Sequence, residues 1–160
     1  MVAKFYVIVR NDMPSMNAGK MAAQVSHCTT KMCCEIDDFV NVSPFKNRQR
    51  KWLNDENIGT TIIMQGIGQD IKRFFALVKK EFPYLYTNKV IDETYPFLVH
   101  ADVTEWLDDK TFIDWGHLDT NGLVKCYHPA WTCSGLFFDG TPKEAERIKE
   151  LMEECDINLM

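Results

Sequence analysis

Three side chains that can bind or activate a substrate follow one another in an early segment of the chain: Lys20, Gln24 and His27. At about 100° of rotation per residue they fall within one narrow stripe of a helix. A second stripe is apolar and suited to pack against a sheet: Met21, Val25, Cys28 and Met32. An ammonium stabilises negative charge, an imidazole exchanges a proton near neutral pH, and an amide orients a substrate or a water. The spacing predicts one packing face and one face that presents chemistry.

The start of this helix is also suited to anions. A glycine followed by a lysine offers backbone N–H groups, the positive end of the helix dipole and a flexible ammonium. Asn17, Gly19 and Lys20 are therefore candidate residues for binding a phosphate or a developing oxyanion. A Gly-Lys pair alone is more often just an exposed helix lysine, so the surrounding residues decide.

The segment at positions 4–29 has the sequence KFYVIVRNDMPSMNAGKMAAQVSHCT. It closely resembles the signature of the type II peptidyl-tRNA hydrolase family. In that family a strand ending in V-R-x-D leads to a helix with G-K-x-A-A-Q-x-S-H. The matching residues here are Val9, Arg10, Asp12, Gly19, Lys20, Ala22, Ala23, Gln24, Ser26 and His27. The resemblance implies metal-free cleavage of the ester between a peptide and the terminal ribose of tRNA.

A second landmark of that family is an aspartate followed by A-G-R-T-Q, and V-I-D-E-T-Y-P is similar to it. The resemblance makes Asp92 a catalytic or water-orienting carboxylate, with Thr94 in place of the family threonine at a shifted spacing. The glycine and arginine of the landmark are missing, which leaves the substrate open. Towards the end of the chain the likeness is loose, and Gly135 is its clearest match.

Charge is divided unevenly along the 160 residues. Residues 1–91 hold 13 Lys and Arg against 8 Asp and Glu, and residues 92–160 hold 5 against 15. The basic half includes a run, KNRQRK, whose Arg48, Arg50 and Lys51 are candidates for holding the phosphates of an acceptor stem. Such runs are also common as solvated helix faces.

Periodicity, glycines and prolines predict the order β-α-α-β-α-β-β-α. This is one α/β domain over residues 1–160, a three-layer sandwich with a four-stranded mixed sheet flanked by helices, which is also the arrangement of the resembled family. Thr141, Pro142 and Glu144 mark the start of the last helix as a cap, a first-turn proline and a capping-box partner. The other elements are expected at residues 3–10, 17–35, 45–54, 60–66, 69–81, 85–91 and 131–138.

An acidic insertion at about 97–130 departs from the family pattern and supplies an alternative function. An acidic segment should repel a long nucleic acid, so the fold could instead bind or cleave a small nucleotide, such as a cyclic or ADP-ribose-type signal, in a phage or accessory protein. Tyr95, Trp106, Trp115 and Trp131 are candidates for stacking on its base. A protein-binding role for the acidic surface is a third possibility.

The sequence also gives expectations about the cysteines, membrane contact, cellular location and oligomeric state. The six cysteines contain no C-x-x-C pair and are expected to be buried, reduced thiols, without a structural metal or a cofactor. No segment is long and apolar enough to span a bilayer, and the start resembles no signal peptide. We expect a cytoplasmic protein that makes no membrane contact and that can pair into a homodimer.

Overall fold

The computed structural model describes residues 2–13, 16–38, 49–50, 52–54 and 59–160. Residues 49–50 and 52–54 are helical, so the part of the predicted second helix that is described is confirmed and the rest lies outside the described residues. The other strands and α-helices are β1 Val2–Arg10, α1 Ala18–Asp38, β2 Thr61–Gly66, α2 Gly68–Glu81, β3 Tyr86–His100, β4 Phe112–Asp114, β5 Leu123–Gly140, α3 Pro142–Glu154 and β6 Asn158–Leu159. Two short 3-10 helices cover Ala101–Trp106 and Trp115–His117.

The strands form one mixed sheet in the order β3, β5, β1, β2, β6, with β4 pairing on β5 outside that path. β1 and β2 are parallel, with Arg10 opposite Gly66, and β1 and β5 are antiparallel, with Val9 opposite Cys133. The α/β class with helices flanking one sheet is therefore confirmed. The prediction of four strands is wrong, because the sheet has six. The two extra strands, β4 and β6, have 3 and 2 residues, which is too short for a periodic pattern to show.

Burial on both faces of β1 explains the layers. Phe5, Val7 and Val9 are 0% exposed on one face, and Tyr6 and Ile8 are at most 3% exposed on the other. A strand buried on both sides needs a layer on each side. The first face forms a core cluster with Cys28 and Met32 of α1, Trp52, Val90, Cys133 and Phe137.

Two buried hydrogen bonds attach α1 to β3. The Cys28 thiol donates to Asn88 Oδ1 at 3.1 Å, and Asn88 Nδ2 donates to the Cys28 carbonyl at 3.1 Å. Gly135, opposite Val7 in the sheet, leaves room for this contact, since an added Cβ would lie 2.5 Å from Asn88 Oδ1 and 2.6 Å from Phe5 Cζ. The helix that carries Lys20, Gln24 and His27 is thus held by specific contacts as well as by apolar packing.

The chain divides into two compact units. The first unit comprises Met1–Asp12, Met16–Val90 and Cys133–Met160, and the second comprises Met13–Ser15 and Ile91–Thr132. The expectation of a single domain with an insertion stays a prediction. Among the described residues, no helix is both long and apolar enough to cross a membrane.

Much of the predicted insertion is strand. β3 continues to His100 and β5 begins at Leu123, so residues 101–122 alone lie between these two strands. Three aspartates build the turns there: Asp108, Asp114 and Asp119 each accept a hydrogen bond from the backbone N–H two residues ahead, at 2.8 to 3.1 Å. Aspartate is favoured in such turns for this reason. Part of the acidity of the segment therefore has a structural cause.

The capping prediction for the last helix is confirmed. Thr141 accepts a hydrogen bond from the Glu144 N–H and Glu144 accepts one from the Thr141 N–H, with Pro142 in the first turn. All six cysteines are free, and Cys28, Cys126, Cys133 and Cys155 are buried. The expectation of burial is wrong for Cys34, which is exposed because it lies on the outer side of α1.

Candidate functional site

The N-terminal end of α1 is capped by Asn17. Its Oδ1 accepts a hydrogen bond from the Lys20 N–H at 3.0 Å, and its carbonyl accepts one from the Met21 N–H at 2.9 Å. The N–H groups of the first turn of a helix have no hydrogen-bond partner within the helix itself. Asn17 is therefore a helix cap whose side-chain oxygen is already engaged, in addition to being a candidate binding residue.

Gly19 lies exposed in this first turn. An added Cβ would come no closer than 3.5 Å to Asn17 Oδ1, which is ordinary van der Waals contact. Packing in the first unit therefore does not require a glycine at this position. A glycine here keeps the backbone open to close approach by a ligand.

The three side chains of the predicted stripe differ in exposure. Gln24 is 3% exposed, Lys20 is half-buried and His27 is exposed. Helix geometry explains this order, because Gln24 lies about 40° from Cys28, Lys20 about 80° and His27 about 100°. The structure thus differs from the prediction of two separate faces, since Gln24 sits at the border of the packing face.

Sequence reasoning assigned no role to a cluster at the end of β1. The Arg10 guanidinium donates to both carboxylate oxygens of Asp12, at 2.9 and 2.8 Å, and Asp12 also accepts the Gly68 N–H at 3.2 Å. The hydrogen bond from Arg10 is the main reason that the pKa of Asp12 is lowered, and the Gly68 N–H adds to the effect. Burial acts in the opposite direction.

The cluster of Arg10, Asp12 and Gly68 links the end of β1 to the start of α2, which follows β2. A Cβ on Gly68 would lie 2.8 Å from Arg10 Nε, so the guanidinium packs on the glycine backbone. Gly66 ends β2 and Gly68 begins α2, so the G-I-G sequence at 66–68 forms a strand-to-helix turn. Since β1 and β2 are parallel, both α1 and α2 begin beyond the same, carboxyl edge of this strand pair, where ligands commonly bind in open α/β sheets. In the sequence, the match to V-R-x-D at Val9, Arg10 and Asp12 was the signal that could have identified this cluster.

The second unit holds Asp92, Thr94 and the aromatic candidates. Asp92 Oδ1 accepts hydrogen bonds from the Thr94 N–H at 3.0 Å and from the Thr94 hydroxyl at 3.4 Å. This is the same local bond that Asp108, Asp114 and Asp119 make, so Asp92 has a turn-like structural role on β3. The buried positions of β3 change here from even to odd numbers, from Asn88 and Val90 to Tyr95.

The aromatic candidates for stacking have different surroundings. Trp106 is 80% exposed and Trp115 is 55% exposed, whereas Trp131 is half-buried and Tyr95 is 3% exposed. Tyr95 lines an apolar pocket of the second unit together with Met13, Phe97, His128 and Ala130.

The basic candidates are described in part. Arg50 is exposed on the helical residues 49–50, and Arg48 and Lys51 lie outside the described residues. In the described part of the chain, no group of three or more His, Cys, Asp or Glu side chains is arranged to hold a metal ion. Lys20 and Asp92 belong to different units, and their assignment to one site stays a prediction.

Comparison with known protein families finds a match in the N-terminal part of the chain. A family model described as peptidyl-tRNA hydrolase PTH2 matches residues 3–75, which comprise most of β1, all of α1 and β2, and the first half of α2. Among curated proteins, no significant match was found. The matched residues include the capped helix start and the Arg10–Asp12–Gly68 cluster.

Proposed function

From the match of residues 3–75 to the peptidyl-tRNA hydrolase PTH2 family model, we propose that this protein hydrolyses the ester between a peptide and the terminal ribose of tRNA. The observation that carries the proposal is the match itself, which spans the start of α1 where Asn17, Gly19 and Lys20 lie. In the reaction, water adds to the ester carbonyl carbon and loses a proton to a base. The ribose oxygen then leaves and takes up a proton.

Lys20 is the residue assigned to negative charge. It is the third residue of α1, half-buried, and its N–H is held by the Asn17 cap. The positive end of the helix dipole adds to the attraction of its ammonium for an oxyanion or a nearby phosphate. The exposed backbone at Gly19 allows such a group to approach closely. Loss of one such stabilising group typically lowers kcat by about 10²- to 10³-fold.

His27 and Gln24 are assigned to the water. His27 is exposed two turns after Lys20 and offers an imidazole, the side chain most often used to accept or donate a proton in catalysis. Gln24 is almost fully buried on the same helix, so its amide has a restricted orientation, which suits the positioning of a substrate or a water. A buried amide loses little additional entropy when it binds.

Asp92 and Thr94 complete the proposal through the family likeness. We assign Asp92 to sharing the base and orienting roles with His27, and Thr94 to assisting it. The hydrogen bonds from the Thr94 N–H and hydroxyl to Asp92 Oδ1 limit the motion of the carboxylate on β3. Arg48, Arg50 and Lys51 are assigned to the phosphates of the acceptor stem.

The test is single-turnover hydrolysis of peptidyl-tRNA by the full-length protein and by its Lys20→Ala variant. We expect peptide release by the unchanged protein and a loss of about 10²-fold or more in the variant. Because a half-buried helix lysine changed to alanine alters stability little, both proteins should unfold at similar urea concentrations. Release of peptide at the same rate by both proteins would refute the role of Lys20.

A matched control is Lys143→Ala. Lys143 is an exposed lysine in the first turn of α3, so it shares helix position and charge with Lys20 but lies outside the proposed site. We expect Lys143→Ala to retain full activity. Small cyclic and ADP-ribose-type nucleotides belong in the same assay, because their cleavage with inert peptidyl-tRNA would replace the esterase proposal by the nucleotide alternative.

A further inference from the structure

The second unit contains a pocket that the proposed hydrolysis does not use. Its volume is about 190 Å³, and it is lined by Met13, Tyr95, Phe97, His128 and Ala130. Tyr95 and Phe97 are two positions apart on β3, and His128 and Ala130 are two positions apart on the neighbouring β5. Residues two apart in a strand share a face. The pocket is therefore formed by one face of each of two adjacent strands.

The size of the pocket suits one side chain. Typical sites for small organic ligands and cofactors measure roughly 300 to 1,000 Å³. A cavity of about 190 Å³ has the liquid volume of roughly six waters, which is enough for one aromatic or large aliphatic side chain. The pocket is thus too small for a whole nucleotide with its ribose and phosphate.

The polar atoms of His128 face protein oxygens. Nδ1 lies 2.6 Å from the Pro129 carbonyl oxygen, and Nε2 lies 3.0 Å from Asp108 Oδ2. Both nitrogens are therefore engaged, and the ring presents its apolar surface to the cavity. An occupant consequently meets apolar walls, which favours a hydrocarbon or aromatic group.

The charge of the unit limits the chemistry of its partner. Residues 91–132 hold eight Asp and Glu against two Lys and no Arg. A surface with this excess of negative charge repels polyanions and raises the association rate of a basic partner. The two lysines are Lys110 and Lys125, and Lys125 Nζ lies 5.3 Å from the centroid of the Tyr127 ring.

Exposed apolar side chains are concentrated in the same unit. Of the twelve large apolar side chains that are exposed in the described part of the chain, seven lie between Ile91 and Leu118. Trp106 is 80% exposed and Phe112 is 65% exposed. Scattered exposed apolar residues are normal, but aromatic residues at high density are typical of protein interfaces.

From the pocket, the charge and the exposed aromatic residues together, we propose that the second unit docks a basic polypeptide segment that inserts one large apolar side chain into the pocket. The carboxylates steer the segment and the pocket supplies the anchor. This site lies outside the α1 residues assigned to hydrolysis and does not depend on that assignment.

The test selects binders from a library of random displayed peptides on the full-length protein. The expected result is enrichment of sequences with net positive charge and one recurrent large apolar residue. A synthetic peptide of an enriched sequence should bind at low salt and weaken at high salt, since the steering is electrostatic. Ala130→Phe, which fills the pocket, should weaken its binding by about tenfold or more. Replacing the apolar residue of the peptide by alanine should have a similar effect.

Thermal unfolding establishes that Ala130→Phe is folded, and a second variant avoids the pocket altogether. Glu105→Lys with Asp109→Lys changes two exposed carboxylates and should also weaken binding while the fold is kept. The proposal is overturned by the absence of enrichment, by enriched peptides without positive charge, or by equal binding to Ala130→Phe. It is also overturned if the unchanged protein self-associates and Ala130→Phe abolishes this, because a second copy would then fill the pocket.

Discussion

The first unit is built around apolar burial, whereas the segment between β3 and β5 in the second unit is built largely from polar turns. In the first unit Phe5, Phe74, Phe137 and Phe138 are at most 1% exposed. In the second unit Phe112, Trp106 and Trp115 are more than half exposed, and aspartates close the turns.

Histidines strengthen this contrast. Three of the four histidines lie in the second unit, and each is close to an aspartate: His100 to Asp102 at 3.0 Å, His117 to Asp114 at 2.5 Å and His128 to Asp108 at 3.0 Å. The fourth, His27, is a candidate for catalysis in the first unit. Such exposed pairs contribute little to stability, unlike the buried phenylalanines of the first unit.

The largest expected difference between the units concerns phenylalanines. Phe137→Ala should lower the free energy of unfolding by about 3–5 kcal/mol, because it removes a fully buried ring from the core cluster. Phe112→Ala should lower it by less than about 1 kcal/mol, since Phe112 is 65% exposed and its ring centroid lies 6.1 Å from that of Tyr127. Urea unfolding measures both values. Equal losses would show that the second unit has a core of comparable importance.

Two glycines provide a comparison within the first unit. Gly135→Ala should destabilise the protein by about 1–3 kcal/mol, because the new Cβ would lie within 3 Å of Asn88, Phe5 and Cys28. Gly19→Ala should leave stability unchanged or slightly higher, because its Cβ meets only ordinary contacts in a helix. We expect Gly19→Ala instead to reduce peptidyl-tRNA hydrolysis. Unchanged hydrolysis would remove close backbone approach at Gly19 from the proposed site.

A small effect is expected at Asp12. Asp12→Asn should cost less than about 1 kcal/mol at neutral pH, because it weakens hydrogen bonds from Arg10 and Gly68 to a partly exposed carboxylate. The pKa of Asp12 is lowered in the folded state, so its contribution is complete above the ordinary carboxyl pKa of about 3.9 and is lost as the pH falls through the lowered folded value. The two proteins should therefore differ in stability at pH 7 and converge in acid. A difference that persists below that range would contradict this origin.

The sequence predicted the first unit well because its signals are local. Alternation identified β1, the spacing of Ile71, Phe74 and Val78 identified α2, and Thr141 with Glu144 identified the start of α3. The two short strands could not be predicted, because pairing with a neighbour defines them more than their own residues do. The acidic insertion was predicted too long, because β3 and β5 pair beyond the residues 85–91 and 131–138 that were predicted as strands.

For the candidate site, the spacing of Lys20, Gln24 and His27 determined that they share one side of a helix, because helix geometry follows from local hydrogen bonds. Only the tertiary structure decided how far each is buried, since burial depends on where the sheet meets that side. The same holds for Asp12, which accepts a hydrogen bond from the Gly68 N–H 56 positions away, and for the pocket between Tyr95 and Ala130. Contacts of that kind depend on strand order, which no local pattern records.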